Sequence, residues 1–280
     1  MASFNLYTFQ FEPADGALMY NLFEPEKDPR EEVMRVKNNA LREIIVDPNP
    51  FMYRNKSYKK EILFEKDDFI VLRIAGQRSI KLERNFKEER TINEPSVVVI
   101  IDNRKESQRM AIEDDTTAFA STDALSHIIV KNVYGPLLKK NLKFSLLKEY
   151  QPSEFWDYIN KNPQKIQMVR FDFKYPNLGR SYEVVKQILG DSSKKIGSGN
   201  TKIEYNAQSG SHLILNKDNE FISGMADDSA KSGQPITLKI SGIKKHVVTG
   251  TTKRIVQIDE ASIQSDSVDD IKKIFDELLK

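Results

Sequence analysis

The sequence predicts an α+β fold in two lobes of mainly antiparallel sheet with packed helices, and three observations lead there. Runs of alternating or continuous β-branched and aromatic residues recur through both halves of the chain. Amphipathic helical stripes fall between them, and Gln151-Pro152 breaks the pattern near the middle. A length of 280 residues suffices for two ordinary domains, each with its own core, here 1–151 and 152–280.

SFNLYTFQF reads as the first strand, with Phe4, Leu6 and Phe9 or Phe11 near alternate positions. A helix follows, capped by Asp28 with Pro29 at its first position and Glu31 three residues after the cap. Val33, Val36, Ala40, Leu41 and Ile44 form its apolar stripe, and Asp47-Pro48 ends it. KKEILFE, DFIVLRIAG and RSIKLERNF read as successive strands of a meander. SVVVIID has the unbroken β-branched character of a central strand, and QRMAIED follows across a polar turn. Ser121 or Thr122 caps the next helix, which carries Leu125, Ile128, Ile129 and Val133 until Gly135-Pro136 interrupts it. NLKFSLLKEY is strand-like again.

The second lobe opens with a short helix capped by Ser153 and carrying Phe155, Trp156 and Ile159; the two aromatics suit a plug where the lobes meet. KIQMVRFDF is a strand, a helix from Ser181 to Leu189 ends at Gly190, and DSSKKIGSGN is a small, basic loop. TKIEYNA resumes a strand, 217–230 carries a helical stripe, and the run 235–259 gives two or three strands. Ser267 caps a last helix bearing Val268, Ile271, Ile274, Phe275 and Leu278.

Composition removes several classes of function. The chain has no cysteine, hence no disulfide, thiolate metal site or cysteine nucleophile, which suits a cytoplasmic protein. No apolar run reaches membrane-spanning length, and MASFNLYTFQFEP lacks the basic start of a signal peptide, so neither membrane insertion nor secretion is expected. His127, His212 and His246 stand in unlike contexts with no ligand spacing, and no H-E-x-x-H or G-x-S-x-G string occurs. GSGNTK lacks the spacing of a nucleotide-phosphate loop. Glu113, Asp114 and Asp115 could hold a divalent ion, which makes a metal-dependent nuclease the enzymatic alternative, although adjacent carboxylates on a strand end point to opposite faces. The reading is of a binding protein with no catalytic residue, metal or cofactor.

Charge supplies the positive signal. Residues 1–150 hold 24 bases and 24 acids, whereas 161–257 hold 16 bases and 8 acids, and 258–280 hold 3 bases and 7 acids. Lys165, Arg170, Lys174 and Arg180 straddle one strand and its following turn, and Lys194 and Lys195 sit in the basic loop. Lys239, Lys244, Lys245, Lys253 and Arg254 lie in a stretch without an acid between 235 and 257. Lysine and arginine neutralising phosphates give sequence-independent affinity. The expected contact set for double-stranded DNA is therefore Lys174, Arg180, Lys194, Lys195, Lys244, Lys245, Lys253 and Arg254, with Tyr175 and Tyr205 as candidate stacking residues. A solubilising face is the bland alternative, and with it a scaffold that binds only protein.

The string PSVVVIIDNRKESQRMAIEDDTTAFASTDALSHII, then NLKFSLLKEY, KIQMVRFDF and YEVVKQILG, resembles the lambda exclusion protein RexA and similar bacterial phage-defence proteins. The likeness covers about residues 95–205 in order and texture, with no counterpart for the helix around 29–45. It implies a two-lobed, homodimeric DNA-binding sensor in an anti-phage system, working with a separate effector protein.

Overall fold

The computed structural model describes residues 2–14, 29–105, 107–174, 198–250, 252–258 and 273–274, in two units: Met1–Leu146 with Ile255–Lys280, and Leu147–Arg254. The first boundary lies within a few residues of Gln151-Pro152. The second was not expected: the chain leaves unit 2 after Arg254 and rejoins unit 1.

Unit 1 begins with β1 (Ala2–Pro13), α1 (Pro29–Arg35) and α2 (Lys37–Val46), and continues through β2 (Phe51–Tyr53), β3 (Lys56–Tyr58), β4 (Lys60–Lys66) and β5 (Phe69–Ala75). β6 (Arg78–Arg84), β7 (Lys87–Asn93), β8 (Ser96–Asp102), β9 (Arg109–Glu113), α3 (Thr122–Lys139) and β10 (Leu142–Lys148) follow. The main sheet runs β10-β1-β9-β8-β5-β4. One face of β1 puts Tyr7, Phe9 and Phe11 into a core shared with Leu41 and Ile45 of α2 and Leu125, Ile129 and Val133 of α3. Its other face puts Phe4 and Leu6 beside Val71, Val98 and Ile100. Burial on both faces is why SVVVIID needs no polar alternation.

The expected single helix over 29–46 is two, parted at Val36, which is 45% exposed while Lys37 is buried. Lys37, 3% exposed with its ammonium 5.6 Å over the Phe11 ring, takes a place the apolar stripe had reserved for valine. Gly135-Pro136 does not stop α3. The last turn continues to Lys139, because Leu137 is fully buried and offsets the hydrogen bond that Pro136 cannot donate. Ser121 Oγ caps this helix, accepting from Ala124 N at 3.2 Å.

The expected meander is also revised. β5 pairs with β4 and then with β8, while β6 pairs only with β7 in a separate two-stranded ribbon. Hairpin loops at Arg54-Asn55, Asp67-Asp68 and Asn85-Phe86 all carry left-handed φ at both central residues, the geometry two-residue loops require. None contains glycine; β4 and β5 were expected as successive strands, whereas the β2–β3 and β6–β7 pairings were not foreseen.

Unit 2 comprises α4 (Ser153–Lys161), β11 (Ile166–Lys174), β12 (Asn200–Asn206), α5 (Glu220–Lys231), β13 (Ile236–Ile240) and β14 (Val247–Val248), with sheet order β12-β11-β13-β14. Phe155, Trp156 and Ile159 of α4 and Ile222, Met225 and Ala226 of α5 pack on Val169, Phe171, Phe173, Leu238 and Ile240. The Phe155–Trp156 pair, 4.7 Å between ring centroids, therefore belongs to unit 2's own core. Ser153 is the first residue of α4 rather than its cap. Asn219 Oδ1 caps α5, accepting from Phe221 N and Ile222 N. Gly233 closes that helix at φ +67, where a Cβ would meet Leu147 Cβ at 2.7 Å and Lys148 O at 2.8 Å.

β15 (Ile255–Ile258) pairs antiparallel with Ala2–Asn5 of β1, and Ile258 and Ile274 join the second core of unit 1. The closing stretch thus completes the first sheet and is not part of the second lobe. The helix expected after Ser267 lies outside the described residues except for Lys273 and Ile274, which are helical.

Candidate nucleic-acid interface

The basic residues of unit 2 divide into three environments. On the sheet face away from the core, antiparallel register sets Arg170 opposite Glu204 and Asp172 opposite Lys202. Arg170 Nε is 3.6 Å from Asp172 Oδ1 and its Nη1 3.9 Å from Glu204 Oε2, while Lys202 Nζ is 3.3 Å from Asp172 Oδ2. These cations are matched by acids from neighbouring strands. Arg170 and Lys202 are poor phosphate ligands for that reason.

The second environment is where the chain enters and leaves unit 2. Tyr150 and Lys253 form an isolated antiparallel bridge, and Arg254 N donates to Glu149 O. The Arg254 side chain is only 17% exposed and its Nη1 lies 3.2 Å from Oε2 of the fully buried Glu149. This corrects the expectation for Arg254: its guanidinium neutralises a buried carboxylate. Lys253 is exposed, but it lies at the opposite end of the five-residue β13 from Lys244 and Lys245, about 17 Å of strand away.

The third environment holds the unmatched charge. β13 and β14 are joined by Ser241–His246, exposed throughout, with Lys244, Lys245 and His246 at its end; Lys239 Nζ donates to Lys244 O at 3.2 Å. Backbone hydrogen bonds draw two further segments to this end of the sheet. Ser241 N donates to Lys165 O, Leu213 N to Ile166 O, and Ala207 N to Gln167 O, each at 2.8 Å. The segments so assembled, 161–167, 206–217 and 239–246, contain Lys161, Lys165, Lys217, Lys239, Lys244 and Lys245 with His212 and His246; the acids next along the chain are Asp157, one turn before Lys161 on α4, and Asp218, beside Lys217. Among the described residues none of these six lysines forms an ion pair. Gln164, Ser209, Gly210, Ser211 and Asn216 in the same segments offer small polar donors.

The structure thus brings Lys244 and Lys245 together with Lys165 and Lys239, and separates Lys253 and Arg254 from them. Lys161 and Lys217 escaped the sequence reading; the missing acids in 206–217 were their signal. Arg180, Lys194, Lys195 and Tyr175 lie outside the described residues, as does the side chain of Lys174. Tyr205 is half-buried, packs edge-on to Phe221 at 6.3 Å against the core of unit 2, and has its phenol pKa pushed up by burial.

The acidic trio does not converge. Glu113 Oε2 accepts from Val98 N at 2.7 Å, Asp114 Oδ2 from Asn5 Nδ2 at 3.0 Å, and Asp115 Oδ1 from Thr117 N at 2.7 Å. His127 sits edge-on to Tyr53, 5.4 Å between centroids. Among the described residues no group of three or more His, Asp or Glu could hold a metal ion, and no helix is long and apolar enough to cross a membrane. Comparison of the chain with family models, curated proteins and solved structures finds no match in any of the three.

Proposed function

We propose that this chain binds the backbone of double-stranded DNA without sequence preference through the acid-free end of unit 2. The observation that carries this is the gathering of Lys165, Lys239, Lys244 and Lys245 with His212 and His246 from three separated segments held by backbone hydrogen bonds, with Lys161 and Lys217 in the flanking chain. A merely solubilising surface intersperses both signs, as the neighbouring face of the same sheet does with Arg170, Asp172, Lys202 and Glu204. Duplex DNA presents one negative charge for about every 1.7 Å of axis, so a cluster of mobile ammonium groups meets several phosphates without any demand on base sequence. The exposed turns between strands carry no base-reading helix, which fits backbone contact in place of groove recognition.

The sensing role in an anti-phage system, with a separate effector, extends this reading on the strength of the RexA-like order of elements over residues 95–205. The test is fluorescence anisotropy with two duplexes of unrelated sequence and one single-stranded RNA of equal length, at low salt with and without magnesium. Equal affinity for the duplexes, no cleavage and release by salt are expected. Absence of duplex binding at low salt removes the proposal, and loss of full-length DNA with magnesium replaces it with a nuclease.

A further inference from the structure

The lysine-bearing end of unit 2 also exposes apolar surface that phosphate contact does not use. Among the described residues, unit 2 exposes three large aliphatic side chains, Ile214 at 87%, Val248 at 55% and Ile243 at 40%. Ile214 and Ile243 both lie in the segments that carry the lysines.

Local structure sets both in place. Leu213 and Leu215 pack against the core of unit 2, so Ile214 between them takes the opposite side, as alternation along an extended stretch demands. The stretch is anchored on either side of Ile214. Leu213 N donates to Ile166 O at 2.8 Å, and Asn216 accepts from Asp218 N through Oδ1 at 3.0 Å and from Asn219 N through its carbonyl at 3.1 Å. Ile243 closes the tight turn that begins at Ile240, donating its N–H to Ile240 O at 3.1 Å, with Gly242 supplying the left-handed φ of +84 that the turn requires. Leu213 N and Ser241 N reach the successive carbonyls of Ile166 and Lys165 from opposite sides, which sets their backbones about two strand spacings, roughly 10 Å, apart. The two isoleucines therefore flank the start of β11, with the backbone of Lys165 and Ile166 between them.

Their surroundings define what they meet. Lysines on each segment select a polyanion, and the apolar surface that a duplex offers to a wedge is the face of its bases, reached by entering a step from the minor groove. We propose that Ile214 enters a base step of the bound duplex as an apolar wedge, with Ile243 against the sugars alongside and the lysines on flanking phosphates. The substrate class that follows is duplex already unstacked or easily bent, as at a mismatch. A wedge reads no base edge, so paired duplexes of unrelated sequence are still bound alike. The inference rests on the DNA reading of the same surface. An anionic membrane is the poorer occupant, because 161–167, 206–217 and 239–246 contain no Trp, Tyr or Phe, the residues that anchor a chain at a lipid interface.

The test uses the whole chain and two duplexes of one length and sequence context, one fully paired and one with a central mismatch. Anisotropy reads affinity, and energy transfer between labelled duplex ends reads bending. The mismatch has already lost the stacking that a wedge must disrupt, so the wild type is expected to bind it at least about tenfold more tightly and to draw the ends of the paired duplex together. Ile214→Ser is expected to bind both duplexes alike and leave the ends at their unbound distance. Its affinity should keep the wild-type dependence on salt, because no cation has changed. Ile214→Phe, still a wedge, should retain the mismatch preference. The side chain is exposed, so neither substitution disturbs the fold. Equal affinity for the two duplexes without bending by the wild type, or a mismatch preference that survives Ile214→Ser, overturns the wedge and leaves phosphate binding standing. Absence of duplex binding overturns the functional reading and the wedge with it. Co-sedimentation with phosphatidylserine–phosphatidylcholine vesicles that Ile214→Ser abolishes, with duplex binding unchanged, assigns the isoleucine to a lipid surface and also overturns the proposal.

Discussion

The triple replacement of Lys165, Lys244 and Lys245 by Ala separates the acid-free end of unit 2 from the rest of the basic surface. Each neutralised phosphate releases about 0.9 counterion, so contact by all six lysines gives a slope of log affinity against log salt of about −5. The triple variant retains Lys161, Lys217 and Lys239, which lowers the slope to about −2.7. Between about 50 and 200 mM salt the wild type then loses about 10³-fold in affinity and the variant about 40-fold. Lys165, Lys244 and Lys245 are exposed, so stability should change by no more than about 0.5 kcal/mol per substitution. Anisotropy titrations of one duplex across salt read both quantities, and circular dichroism confirms the fold. Lys253→Ala is the control, expected to leave the slope unchanged because that residue lies at the far end of β13. A triple variant with the wild-type slope, or a Lys253 variant that flattens it as much, would refute the assignment of the interface.

Arg254→Ala should act on stability instead. It removes the guanidinium that lies 3.2 Å from Oε2 of Glu149, 0% exposed, at a cost of about 3 kcal/mol; equilibrium denaturation reads this, and a neutral outcome would return Arg254 to the candidate DNA surface. Gly233→Ala combines a left-handed φ with contacts of 2.7 and 2.8 Å to Leu147 and Lys148 and should cost about 2 kcal/mol or more, seen as a lower denaturation midpoint; an unchanged midpoint would mean that the turn rebuilds. Tyr7, whose Oη donates to Asp123 Oδ1 at 2.8 Å and lies 2.9 Å from Thr122 Oγ1, has its pKa pushed far above 10.0 by burial and by the Asp123 carboxylate. The unfolded phenol releases its proton near pH 10 while the folded one keeps it. Tyr7's contribution is therefore complete below about pH 10 and is lost as pH rises beyond it, by up to about 1.4 kcal/mol per pH unit. Tyr7→Phe should decline less steeply above pH 10 in denaturation profiles, and parallel profiles would count against the buried phenol.

Local pattern was sufficient for most elements. The continuous apolar run Val97–Ile101 and the stripe Leu125–Val133 each identify an element that buries whatever surrounds it, because the side chains alone demand it. Pattern failed where a neighbour decided the outcome. Lys37 stands in the buried place expected for Val36, over the ring of Phe11, and α3 runs through Pro136 with Leu137 entering the core. Glycine-free turns concealed β2–β3 and β6–β7, since left-handed φ at Arg54, Asn55, Asn85 and Phe86 is bought by strand pairing and not by residue type.

For the interface the division is similar. By itself the sequence determined that residues 161–257 are basic, that no cysteine chemistry is open to the chain, and that α+β elements fill it. Only tertiary structure decided which bases act together. Antiparallel register matched Arg170 and Lys202 with acids, the closing strand carried residues 255–258 back to β1, and Glu149 claimed Arg254. Backbone hydrogen bonds meanwhile brought Lys165, the segment of His212 and Lys244 to one end of a sheet from positions up to 79 residues apart. The physical reason is range: propensity and periodicity act over a few residues, whereas Coulomb interactions depend on distances in space that only the folded chain defines.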